Sequence, residues 1–268
     1  MKHSLAALCA ASLALLAGCG GSSGGSALNG NYALQTTPTG SASGGGGGYF
    51  LGGMLSGSGS VKGTFHVLDS SNCIPSTSPV PVTGSVSGSS LHLTTTAVQS
   101  QVFDIKATIS SDGSTITGGT YQVSGACSAS NLGGSLTGFL VQPFTGSYTG
   151  TLTVADIAGN PTSTQFATTA NLTQSSSPDT NGYFTVTGPI TINSPCFANF
   201  AIAQNQIFGT QILIVATPNG VAPGAGVPTL NISAFATDST AKQISGRYNV
   251  ANMTAGCTTN GYVLITHP

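Results

Sequence analysis

Gly119-Thr120-Tyr121-Gln122-Val123 is the stretch from which the fold is read. Its Thr, Tyr and Val suit a pleated, half-buried surface, and they alternate at the strand period of two. The stretch returns near the C-terminus as Gly246-Arg247-Tyr248-Asn249-Val250, and each copy is followed by a cysteine, Cys127 and Cys257. Working outward, further matches fall in the same order. Gly30-Asn31-Tyr32 pairs with Gly146-Ser147-Tyr148, and Cys73 with Cys196. Leu55-Ser56, leading to Gly63-Thr64-Phe65-His66-Val67, pairs with Leu172-Thr173, leading to Gly182-Tyr183-Phe184-Thr185-Val186. Gly88-Ser89-Ser90-Leu91-His92-Leu93 pairs with Gly209-Thr210-Gln211-Ile212-Leu213-Ile214. An ordered match of cysteines, tyrosines and their flanking glycines is a tandem repeat. Its copies span residues 29–142 and 146–268, with the seam near Gln142-Pro143-Phe144-Thr145.

Each copy reads as a run of short strands punctuated by Gly, Ser, Asn, Asp and Pro. Ser111-Asp112-Gly113-Ser114 is a hairpin turn, since Asp-Gly accepts the φ > 0 positions of a tight turn. In the second copy strands are expected over Gly182–Ile192, Phe197–Ala203, Ile207–Ala216 and Thr229–Ala236. The expected fold is all-β, with two tandem antiparallel domains, each a β-barrel or β-sandwich of about 7–8 strands.

Composition limits the function. Only 4% of the 268 residues are charged and the net charge is −1. No basic cluster exists for nucleic acid or anionic lipid, so nucleic acid is not an expected partner. Hydrophobic residues make up 39% and mean hydropathy is +0.24, which separates the chain from disordered ones. The chain has no Glu, which removes the H-E-x-x-H zinc pattern and Glu-based glycosidase pairs. Two G-x-S-x-G matches within Gly20–Gly25 lie in a Gly/Ser run with no strand before or helix after, so the nucleophile-elbow context fails. His66, His92 and His267 have no ligand spacing and read as isolated residues, so no metal and no cofactor is expected. Tyr32, Tyr121, Tyr148 and Tyr248 recur at matched positions and read as core closures whose hydroxyls find partners.

The N-terminus carries a different signal. Lys2 and His3 precede an apolar run from Leu5 to Ala17, then Leu16-Ala17-Gly18-Cys19 and the Gly/Ser segment that follows. The order is that of a secretory signal, and the apolar run is shorter than the roughly 20 residues of a spanning helix. Leu16-Ala17-Gly18-Cys19 resembles a bacterial lipobox, which implies a signal peptide over 1–18, acylation of Cys19 and a flexible tether over 19–28. Gly20 is not the Asp associated with inner-membrane retention, so the expected location is the outer membrane, with the membrane as partner through the lipid. As a whole the chain resembles uncharacterised Gly/Ser/Thr-rich lipoproteins of soil bacteria. In its strand pattern it is also similar to the lipocalin and avidin type of small barrel, although it has none of their tryptophans. The lipoprotein likeness implies no known activity; no enzyme is expected, and the expected function is a non-catalytic structural or interaction module of the envelope. A small apolar or sugar-like ligand held inside a barrel is the second reading. Four cysteines beyond the tether allow three pairings. The repeat selects Cys73–Cys127 and Cys196–Cys257, and export permits oxidation.

Overall fold

The computed structural model describes residues 26–39, 48–69, 78–125, 132–197, 199–252 and 259–268. The first copy forms β1 (Leu28–Pro38), β2 (Tyr49–Gly57), β3 (Ser60–Asp69), β4 (Val80–Ser87), β5 (Ser90–Thr95), β6 (Val102–Ile109), β7 (Thr115–Ser124) and β8 (Leu132–Leu140). Each strand pairs antiparallel with the next, and β8 returns to β1 with Phe139 opposite Ala33, closing a barrel. Closure leaves no sheet edge unpaired.

The second copy forms β9 (Gly146–Ala155), β10 (Pro161–Gln174), β11 (Val186–Thr187), β12 (Pro189–Ile192), β13 (Asn199–Phe208), β14 (Gln211–Thr217), β15 (Thr229–Ala236), β16 (Gln243–Ala251) and β17 (Thr259–Thr266). β9 pairs with both β10 and β17, with Thr151 opposite Ala167 on one side and Leu264 on the other, so this sheet also closes. β11 and β12 together take the place of one strand beside β10. Both copies are therefore eight-position antiparallel barrels, and the sandwich alternative is excluded.

The alternation read from sequence carries through. In β7 every second residue from Ile116 to Val123, allowing for the bulge at Gly118-Gly119, is buried. Barrel 1 is filled by Leu51, Phe65, Leu93, Phe103 and Ile105, all at 2% exposure or less. Ile190, Ile212, Leu230, Ile244 and Val263 fill barrel 2.

Two strand expectations are corrected. Gly182–Ile192 is not one strand: the chain breaks at Gly188 (φ +136), where a Cβ would lie 1.8 Å from the Asn171 carbonyl oxygen. Nor is Ile207–Ala216 one strand. The turn falls at Gly209-Thr210, with Gly209 at φ +55, so β13 runs through the polar Gln204-Asn205-Gln206 that lies between the two expected strands. Asn205 is tolerated there because its amide accepts from the Val186 N–H and donates to the Val186 carbonyl at 2.7 Å, bridging to β11.

Candidate functional site

Beneath Ala170, Ile190, Ile212 and Ile244 barrel 2 retains a cavity of about 10 Å3, room for at most one water. The matched tyrosines close the cores. Tyr32 Oη donates to Gly113 O at 2.7 Å, and Tyr148 Oη donates to Ala241 O at 2.9 Å. Each partner carbonyl lies in the equivalent turn of its barrel, β6–β7 and β15–β16. Burial pushes both phenols up to about 12.

Asp112, Asp156, Asp179 and Asp238 each accept the backbone N–H two residues on, from Ser114, Ala158, Asn181 and Thr240. These are turn-forming carboxylates, each held in place by local backbone. His92 Nε2 lies 2.9 Å from Asp104 Oδ2 on the exposed face of barrel 1. His267 Nδ1 bonds to Ser147 O at 3.0 Å. Among the described residues no group of three His, Cys, Asp or Glu is gathered as for a metal. Cys196, between β12 and β13, is disulfide-bonded, and Cys19, Cys73, Cys127 and Cys257 lie outside the described residues.

His66 is where sequence reading fell short. It is not an isolated strand residue but a wholly buried one, at 0% exposure, in the contact between the barrels. Its ring stacks on Tyr183 at 3.8 Å and 14°, with Phe208 at 5.1 Å. Nε2 donates to Asn181 O at 3.0 Å, which leaves Nδ1 as an acceptor with no partner among the described residues. Desolvation lowers its pKa to about 4. Beside it the Asn31 amide donates to Gly209 O at 2.8 Å and accepts from Gly209 N at 2.7 Å. The backbones touch here: a Cβ on Gly52 would lie 2.7 Å from Gly209 N. The barrels are thus docked, β1–β3 of the first against the β13–β14 turn and the 181–184 segment of the second.

Concave surface of ligand size occurs on an outer wall. A groove of about 800 Å3 crosses β13–β17. Its side chains are outward positions in direct register: Gln204, Val215, Asn231, Asn249 and Asn260 form one row across five strands. Leu213, Ser233 and Arg247 lie in the row beside it, which ends at Tyr262 on the rim. The Arg247 guanidinium sits 4.9 Å over the Tyr262 ring. Tyr262 Oη donates to Gly159 O at 2.5 Å, fixing that ring against the β9–β10 turn. None of these groove residues was singled out from sequence as a site. The signal was present in the repeat: Asn231, Asn249 and Asn260 replace Asp104, Gln122 and Gly133 of the first copy.

The chain matches no protein-family model, no curated protein and no solved structure.

Proposed function

We propose that the chain is a non-catalytic interaction module of the bacterial cell envelope. A lipid on Cys19 carries it at the outer membrane, and the outer wall of barrel 2 meets its ligand. One observation supports this most: the groove on that wall measures about 800 Å3, while the barrel interior beneath it holds about 10 Å3. A ligand inside the barrel, as in a lipocalin-like protein, would have to displace Ile190, Ile212 and Ile244. Opening a packed core in that way costs several kcal/mol. The non-catalytic part rests on the chemistry of the candidate residues. Four aspartates are spent in turns, His92 pairs with Asp104 in the open, and the buried His66 spends Nε2 on the Asn181 carbonyl and its ring face on Tyr183.

Two intra-barrel disulfides belong to the same reading, Cys73–Cys127 and Cys196–Cys257. In barrel 1 the β3–β4 and β7–β8 connections leave the same mouth, four strand positions apart. The β12–β13 and β16–β17 connections of barrel 2 have the same relation. Each bridge would strap one mouth.

The test uses the Cys19→Ala form, which carries no anchor and is soluble. It should co-sediment with purified envelope fragments, and Val215→Arg, with an unchanged melting temperature, should weaken sedimentation by at least about tenfold. Equal sedimentation of both forms would remove the groove from the function. Sedimentation of neither would end the envelope-contact reading.

A further inference from the structure

The groove on barrel 2 can be read for the chemistry of what fills it, on the premise that it is the contact surface. We propose that it binds an uncharged glycan chain laid across β13–β17.

The row Gln204–Val215–Asn231–Asn249–Asn260 places three amides side by side, Asn231, Asn249 and Asn260, at the strand spacing of about 4.8 Å, close to the length of one pyranose ring, with a fourth amide, Gln204, beyond Val215. Each amide offers both donors and an acceptor. Sugar hydroxyls also donate and accept, so a row of amides can satisfy a row of hydroxyls with no charge involved. Leu213 and Val215, both half-buried, supply an apolar patch for a ring's C–H face. The Tyr262 ring at the rim is held by its hydroxyl and covered on one side by Arg247.

Charge argues in the same direction. Arg247 is the one ionised side chain among the residues lining the groove, and it is already engaged by Tyr262. An anionic polymer would meet one occupied cation. A lipid tail would bury the amides without hydrogen-bond partners, at a cost for each. An extended peptide usually gains its affinity by adding to a free sheet edge. The face here lies within a closed sheet, and β14–β17 beneath it are each paired on both sides.

Barrel 1 provides an internal control. At the equivalent place it carries a smaller groove, about 470 Å3, lined by Asp104, Lys106, Thr120, Gln122, Gly133 and Ser135. The equivalence is set by the buried tyrosines, since Tyr121 lies opposite Gly134 as Tyr248 lies opposite Gly261. The concavity therefore belongs to the repeat. The neutral amide lining belongs to barrel 2 alone, because Asn231 and Ser233 stand where the first copy has Asp104 and Lys106.

The experiment titrates the full chain, in its Cys19→Ala form, with three sets of probes. These are neutral hexasaccharides of β-1,4-glucose, α-1,4-glucose and β-1,4-N-acetylglucosamine, polygalacturonate as an anionic polymer, and an extended-peptide library. At least one neutral hexasaccharide should bind. Asn249→Ala and Asn231→Ala should each weaken it about tenfold, and the double variant more. Asp104→Ala and Lys106→Ala should leave it unchanged. Failure of every neutral hexasaccharide, preference for the anion or the peptides, or indifference to both asparagine variants would overturn the proposal. The two readings fail separately. Envelope sedimentation that Val215→Arg abolishes but neutral hexasaccharides do not compete away ends the glycan assignment and keeps the groove. Sedimentation indifferent to Val215→Arg ends the groove itself.

Discussion

His66 shows how one side chain is committed by its surroundings. Its Nε2 donates to a carbonyl, its face is covered by Tyr183, and Nδ1 meets no donor among the described residues. A second proton on Nδ1 would be a buried charge without a partner. The carboxylate it senses is Asp179, in the same 179–183 segment, and that pull is weaker than the desolvation that lowers the pKa. The folded ring titrates near 4 and the unfolded one near 6.5. Between those values the unfolded chain binds the extra proton, so the stabilising effect is complete above pH 6.5. It is lost as pH falls toward 4 and is constant below. The full shift corresponds to about 3 kcal/mol, reduced to roughly 1–2 by solvent screening. Urea midpoints should therefore fall between pH 7 and pH 4.5, and His66→Phe, which keeps the stack but cannot titrate, should fall less. Parallel decline of the two proteins would mean that another group carries the pH dependence.

At the scale of elements, the copies share strands and differ in connections. The β2–β3 link of barrel 1 is a tight turn at Ser58-Gly59, whereas barrel 2 spends Ser175–Thr185 between β10 and β11. That longer segment carries Asn181 and Tyr183 to His66. The connections with conserved placement are those that hold cysteines in the sequence. Each proposed loop encloses roughly 50–60 residues, worth about 4 kcal/mol on the chain-entropy view. Peptide mapping without reductant should recover Cys73–Cys127 and Cys196–Cys257. Recovery of Cys73–Cys196 or Cys127–Cys257 would tie the barrels to each other instead and refute the mouth straps.

For the whole molecule, two closed barrels meet where backbone touches backbone and where Ala33, Phe50, Met54 and Phe139 of the first pack against the core of the second. Each half has every strand of its sheet, so each should fold alone. The halves, residues 26–142 and 143–268, should then re-associate when mixed, because separation exposes Phe208 and Tyr183 and leaves Asn31 and Gly209 without each other. Gly52→Val in the first half should abolish association while leaving its melting temperature nearly unchanged, since its added carbons meet Phe208 and Gly209 of the other half. Association that survives this substitution would show that the docking seen here does not hold the barrels together.

Much of this architecture was legible in the chain because its causes are local. Alternation places Leu, Val and Ile inward over a few residues. Asp-Gly and related pairs set turns within four, and the repeated tyrosines mark core closures twice over. The repeat also carried the equivalence of Tyr121 with Tyr248, each opposite a glycine of the next strand. Barrel closure was not legible, since a sandwich satisfies the same alternation. Neither was the turn at Gly209, because a glycine inside a run of apolar residues reads as strand until its neighbours are placed. The docking of the barrels joins Asn31 to Gly209 across 178 residues, and the groove gathers outward side chains from five strands. Those are properties of tertiary structure: outward positions answer to no core, and only the register between strands decides which of them stand side by side.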